Sequence, residues 1–314
     1  MKLGFDFGNC YSKAAVSKTV TKDRDFIFPS GFTATSTTTG EPDEMFYEGQ
    51  YYNFNRRLAP DHDKTKTDTM LICTVYAAVH FLDISGADPE QVHTVDLGTD
   101  ISIFLFGEQR SQYVKYYGKA SEPFEVGFHG KKWKIRFGYC GVYPQGVVAW
   151  EHEPETEKEE EQDTVQVICD IGGRDTDVAV VAYNDLHEQY EYLVRFSLQN
   201  GVNNLTNSIS QNLMVKGIQV PESVINSAVR GKTVSHSRSE EIRSIVDREK
   251  NMYISQLLNE LAANRVDLQF PVHLIGGGAS MLEDTLKEHM NVAVSDGIMA
   301  NARGCLAALE EEID

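Results

Sequence analysis

Two short stretches hold residues suited to a charged ligand. One is Asp6-Phe7-Gly8-Asn9 and the other is Asp170-Ile171-Gly172-Gly173. In each, an Asp stands just before a glycine-containing turn. A turn poor in side chains lets backbone N–H groups approach an anion closely. The Asp itself repels phosphate, but a carboxylate can hold magnesium through water, and the ion then bridges to phosphate oxygens. Asp6 and Asp170 are therefore the candidate metal residues, and Lys13 supplies a point charge for phosphate. A third stretch, Leu274-Ile275-Gly276-Gly277-Gly278-Ala279-Ser280, ends a strand in three glycines and opens a helix. A ribose or flat ring could lie against such a backbone. Each feature alone has an ordinary explanation: Asp starts turns, Lys sits in solvent, and glycine runs pack strands on helices. Their order along the chain joins them.

The elements around these stretches repeat. With Asp6 superposed on Asp170, Gly8 meets Gly172, Ala15 meets Ala179 and Val16 meets Val180. Each copy reads as an apolar strand, a D-x-G turn and a second apolar strand, which is a hairpin. Two copies half a chain apart predict two domains built on one plan. Between them, residues 69–82 read as a buried helix, 92–98 as a strand entering a loop, and 123–140 as hairpin strands with period two. Lys131 to Arg136 mixes basic and aromatic residues and reads as a hairpin with one solvated face. Residues 151–163 are nearly all acidic and read as a solvated loop at the domain boundary. Further on, Ser237-Arg238-Ser239-Glu240 fits a capping box opening a long helix. Residues 270–275 read as a buried strand, and 279–290 as a helix.

Composition narrows the class. The 314 residues are 41% hydrophobic and 24% charged, enough for two globular domains. The net charge of −18 opposes nonspecific binding to DNA, whose phosphates need a basic face. No run of eighteen apolar residues suggests a membrane span. The opening Met1–Asp6 reads straight into a strand rather than a secretory leader, so a cytoplasmic protein is expected. Cys10, Cys73, Cys140, Cys169 and Cys305 are odd in number with no CxxC pair, which fits buried free thiols rather than disulfides or zinc. The nine histidines show no metal-ligand spacing.

The order hairpin, hairpin, glycine run resembles the superfamily of actin, the sugar kinases and the large heat-shock chaperones, whose phosphate-1, phosphate-2 and adenosine motifs occur in that order. Within it the likeness is to the ParM-type plasmid-segregation actins. It rests on Asn9 and Lys13, on Asp170-Ile-Gly-Gly followed by Asp177-Val-Ala, on Phe28-Pro29-Ser30, and on Ala300 to Leu306.

The resemblance implies an α/β fold of two actin-like domains. Each is a mixed sheet flanked by helices, with the nucleotide in the cleft between them. Domain I is 1–164 plus 297–314 and domain II is 165–296. It implies ATP, with GTP open, and Mg2+. The nucleotide contacts would be Asp6, Gly8, Asn9, Ser12, Lys13, Gly172, Gly173, Arg174, Gly276, Gly277 and Gly278. Catalysis would rest on Asp170 and on Gln145, which sits where the family places its hydrolytic residue. Attack of water on a γ-phosphate needs a positioned water, and a Gln can donate and accept at once. One departure stands out: Arg174 and Asp175 replace two threonines usual in the second loop. The implied function is a filament-forming ATPase that segregates plasmid DNA through a DNA-binding adaptor protein. It would associate with itself, and touch neither nucleic acid nor membrane directly. A small-molecule kinase of the same superfamily, or a cytoskeletal protein with a cell-shape or phage-positioning role, is the alternative.

Overall fold

The computed structural model describes residues 1–58, 68–118, 120–152, 165–295 and 297–313. The acidic stretch at the boundary lies outside the described residues from 153 onward. The chain divides into two compact units, Met1–Pro154 with Met299–Asp314, and Glu155–Ile298.

The first unit is built on a nine-stranded sheet. Its strands are β1 (Lys2–Phe7), β2 (Tyr11–Val16), β3 (Asp25–Pro29), β4 (Gly31–Thr35), β5 (Met45–Tyr47), β6 (Gln50–Arg56), β7 (Val92–Ile101), β8 (Phe124–Phe128) and β9 (Lys131–Pro144). Their order is β3-β2-β1-β7-β9-β8-β5-β6-β4. Helices α1 (Asp68–Ile84), α2 (Phe106–Gly118) and α3 (Val147–Glu151) belong to this unit. The second unit holds β10 (Val165–Ile171), β11 (Thr176–Asn184), β12 (Gln189–Leu198), β13 (Val272–Ile275) and β14 (Val292–Ser295), ordered β12-β11-β10-β13-β14. Its helices are α4 (Val202–Val215), α5 (Glu222–Val229), α6 (Ser239–Ala263) and α7 (Gly276–Leu286). The last helix, α8 (Ala300–Ile313), returns to the first unit.

The sequence echo extends further in space than along the chain. In unit one, β3-β2-β1-β7 joins by antiparallel, antiparallel and parallel pairings. In unit two, β12-β11-β10-β13 repeats that order and those directions. Each parallel partner arrives from a distant segment, so only the hairpins show the repeat locally.

Alternation along β1 assigns its two faces. Leu3, Phe5 and Phe7 are buried in a core shared with α1 residues such as Cys73, Val75 and Val79. The opposite face takes α8. Gly4 and Gly98 are cross-strand partners, and Gly141 continues the row on β9. A Cβ at Gly4 would strike the Ala302 carbonyl, and one at Gly98 the Cys305 carbonyl. Gly4 and Gly98 thus make room for the backbone of α8. In unit two, Val167, Cys169 and Ile171 pack with Leu205, Ile209, Ile242, Leu257 and Leu282.

Three local expectations need correction. The strand read as ending at Gly98 runs to Ile101, three residues further into the parallel ladder with β9. The capping box at Ser237 does not form: α6 has Arg238 at its N-cap with no side-chain cap bond, and the Arg238 guanidinium instead binds Glu241 and the Lys216 carbonyl. The glycine run does not precede its helix but forms the first turn of α7. The cysteines stand as free thiols, and burial pushes those of Cys140 and Cys169 up to about 12.

A charged cluster ties α1 to the β8–β9 turn. His129, at φ 48°, places Nδ1 2.8 Å from Asp83 and Nε2 3.2 Å from Asp43, while Lys131 donates to Asp83 at 2.6 Å. Partial burial alone would lower the His129 pKa, but its hydrogen bonds to Asp83 and Asp43 outweigh this and raise it. A raised folded-state value means this stabilisation is complete below the unfolded value of about 6.5 and is lost as pH rises through the folded value. The ring is 35% exposed, so its effect is expected to stay below ~1 kcal/mol. His129→Asn keeps the tolerance for positive φ. Urea unfolding should show the variant less stable than the parent at pH 6 and equal to it at pH 9. An equal deficit at both pH values would refute the linkage.

Candidate functional site

In unit one the candidate residues gather where parallel strands end. β1, β7 and β9 run side by side and finish at Phe7, Ile101 and Pro144. Ligands of α/β sheets characteristically meet the carboxyl ends of such strands. Asp6 is the penultimate residue of β1, only 2% exposed, opposite Lys13 in the β1–β2 ladder. Lys13 donates to Asp6 Oδ2 at 2.8 Å. A Cβ at Gly8 would lie 2.8 Å from that Lys13 ammonium and 2.5 Å from the Tyr11 carbonyl. Gly8 is thus a matter of space beside the ion pair.

The first loop spends its carbonyls on protein donors. The Gly8 carbonyl accepts from Ser30 Oγ, the Asn9 carbonyl from Leu58 N–H at 3.1 Å, and the Cys10 carbonyl from Ser30 N–H at 3.1 Å. No peptide bond among the described residues is cis. In a trans peptide the next N–H points opposite to the carbonyl. The N–H groups of Asn9 and Cys10 therefore point away from these donors, as an anion-binding nest requires. Ser12 lies beneath the loop, fully buried, its hydroxyl 3.0 Å from that of Ser30. Through Ser30 it is linked to the Gly8 carbonyl. The Asn9 Oδ1 atom is buried without a hydrogen-bond partner.

Gln145 sits in the turn between β9 and α3. Its N–H donates to the Ile101 carbonyl at 2.9 Å, which places it at the end of β7, one strand from Asp6. Its half-buried side-chain amide makes no hydrogen bond among the described residues. Gly146 follows at φ 77°.

The second loop repeats the device with different donors. The carbonyls of Gly172, Gly173 and Arg174 accept from the N–H groups of Val202, Asn203 and Gly201 at 3.0, 2.8 and 2.8 Å. Those three donors open α4, so the loop caps the helix, and the N–H groups of Gly173, Arg174 and Asp175 point the other way. The Arg174 side chain lies 3.6 Å from Asp175, both about a third exposed. Asp170 is 2% exposed and faces Asp177, 5% exposed, across the β10–β11 ladder. Where unit one pairs Asp6 with a lysine, unit two sets two carboxylates side by side.

The glycines after β13 have distinct surroundings. Gly276 has φ 94°, and a Cβ there would strike the Asp170 carboxylate. One at Gly278 would meet the Ile171 side chain and, at 2.7 Å, its carbonyl. Only Gly277 has room, with Ile298 carbons at 3.5 and 3.6 Å.

A two-unit architecture whose halves share one strand order, each presenting a carbonyl-tethered loop, can be compared with known proteins. The family model of the archaeal actin homologue MreB-like, C-terminal, matches residues 168–288. No curated protein matches the chain. A crystal structure of an archaeal actin homolog superposes with a TM-score of 0.73 at 20% identity, over 99% of each chain. A 15-stranded ParM filament from Clostridium botulinum gives 0.74 at 15% identity, and Bacillus thuringiensis ParM with ATP gives 0.68 at 14%, each over 99% of both chains. The fold is that of the actin-like proteins. In this actin-like chain Arg174 and Asp175, at the departure noted above, pair with each other at the tip of the second loop.

Several residues at these sites escape sequence reasoning. Asp100, buried at the end of β7, lies in the segment read as loop. Ser30 and Leu58 tether the first loop from remote positions. Asn200 accepts from Thr176 Oγ1 at 2.9 Å and Tyr253 OH at 2.9 Å, fixing the approach to α4. Asp177 and Ser30 do stand in quoted motifs, Ser30 in Phe28-Pro29-Ser30, but neither is given a role there.

Proposed function

We propose that this actin-like chain is a nucleotide-dependent ATPase that assembles into filaments and moves plasmid DNA through an adaptor protein. The observation that carries the reading is the matched pair of loops, each with its carbonyls tied to protein donors and its amides turned outward. That arrangement suits phosphate twice over. Among proteins of this fold, similar structures include an actin homolog in complex with ADP, a ParM with ATP, and ParM and Alp12 filaments. Phosphate contacts are assigned to the backbone at Gly8, Asn9, Gly172, Gly173 and Arg174, with Lys13 held ready by Asp6. Ser12 contributes through Ser30. The adenosine is assigned to the run Gly276 to Gly278. Among the described residues no group of three or more His, Cys, Asp or Glu could hold a metal by itself. The donor chemistry at Asp6 and Asp170 is hard carboxylate oxygen, which suits magnesium held through water and phosphate. When bound, the ion supplies charge neutralisation at the phosphates. Gln145 orients the attacking water, and Asp170 is the second catalytic residue.

The net charge of −18 leaves DNA attachment to a separate basic adaptor. Among the described residues no helix is long and apolar enough to cross a membrane.

Light scattering with ATP, GTP and ADP, each with magnesium, tests the reading. Scattering is expected to rise with a triphosphate and to fall as it is consumed. A protein that stays monomeric with ATP and GTP at high concentration would refute the filament claim.

A further inference from the structure

We propose that Asn301 is a positioning residue for Gln145. This rests on the reading of Gln145 as the residue that orients water. Asn301 is on the first turn of α8, is 3% exposed, and accepts the Gly146 N–H on Oδ1 at 2.9 Å. That hydrogen bond is buried and spans 155 positions in sequence.

The two peptide groups flanking the Gln145 Cα are both tethered. The one before it donates to the Ile101 carbonyl at the end of β7. The one after it donates to Asn301. Holding both planes fixes φ and ψ at Gln145, and therefore the direction of its Cα–Cβ bond. The side-chain amide has no hydrogen bond of its own among the described residues, so nothing else aims it. Gly146 would otherwise be a weak link: it has no Cβ to restrict it, sits at φ 77°, and as the N-cap residue of α3 has no side chain with which to cap the helix.

The acceptor is itself held rigidly. Gly304, one turn along α8, lies so close to α3 that a Cβ there would be 2.6 Å from the Val148 carbonyl. At the far end of α8, Glu312 accepts from Tyr139 OH at 2.7 Å and Tyr143 OH at 2.8 Å. α8 is thereby fastened to β9 and α3 on both sides of the Gln145 turn. Misplacing a catalytic group by about 1 Å can cost on the order of a hundredfold in rate.

Asn301→Leu removes the acceptor at similar size. Asn301→Ser, too short to reach, serves if the leucine variant does not fold, as judged by its melting curve. We expect either to lower kcat for ATP about tenfold, with KM and the Kd for ADP within twofold of the parent. The double variant with Gln145→Ala should be no slower than Gln145→Ala alone, because Asn301 acts only through Gln145. A parental kcat in both Asn301 variants, or losses that multiply in the double variant, would overturn the proposal while leaving Gln145 in place. A parental kcat in Gln145→Ala would overturn the reading on which it rests.

Discussion

Gln145→Ala is expected to lower ATP turnover about a hundredfold while ATP still drives a full rise in light scattering. The size follows from the role proposed for the residue. Hydrolysis of a γ-phosphate leaves little covalent work to the protein; the rate comes from a placed water and stabilised charge. Loss of the placement alone costs on the order of a hundredfold. On the proposed function assembly responds to bound triphosphate rather than to cleavage, so it should be spared and filaments of the variant should outlast those of the parent. The fold is spared too. The Gln145 amide makes no hydrogen bond among the described residues, and the turn is held through its backbone. Unfolding free energy should stay within about 0.5 kcal/mol of the parent, as for other substitutions away from buried networks. Phosphate release and sedimentation measured on the same samples check all three points. Unchanged or faster turnover would remove Gln145 from the mechanism. Lost assembly together with parental stability would mean that the turn senses nucleotide instead of only cleaving it.

The hairpins were legible because their signals are local. Asp6 and Asp170 before glycine turns, flanked by apolar strands, announce themselves within a dozen residues. What makes the loops useful is not local. Ser30, Leu58 and the N-terminus of α4 draw the loop carbonyls aside, and no pattern at those positions marks them as partners. Asp100 was hidden for a related reason. The run after Leu97 contains Gly98 and Asp100, residues depleted in strands, yet they continue β7 because the parallel ladder with β9 supplies hydrogen bonds on that side. Gly98 itself is required by the close approach of α8. The capping box at Ser237 failed in the opposite direction. Its residue types were right, but the Arg238 side chain binds the Lys216 carbonyl and Glu241, and the helix opens two residues after Ser237. Ser12 was legible through its motif, whereas its contacts with Ser30 and with Cys73 of α1 come from segments far along the chain.

Gly276→Ala and Gly277→Ala should behave as opposites, which separates the packing role of the glycine run from its ligand role. At Gly276 a methyl group meets the Asp170 carboxylate and, at 2.9 Å, the Ile171 carbonyl, in a backbone at φ 94°. Positive φ costs a non-glycine residue roughly 1–2 kcal/mol. Overpacking against fixed backbone adds roughly 1–3 kcal/mol. A loss of about 2–5 kcal/mol in unfolding free energy is therefore expected, without any nucleotide present. The same displacement moves Asp170, so whatever protein remains folded should also have lost ATP turnover. At Gly277 the nearest atoms are Ile298 carbons at 3.5 and 3.6 Å, ordinary contact distances. Alanine there should cost no stability, and its better helix propensity in the first turn of α7 opposes any small strain. If a nucleoside lies against this turn, the methyl of Gly277→Ala occupies its space, and the Kd for ADP should rise at least tenfold in calorimetric titration. Parental ADP affinity in Gly277→Ala, with Gly276→Ala destabilised as expected, would mean that the run serves only to seat α7 against Asp170 and Ile171. The adenosine would then have to be held elsewhere.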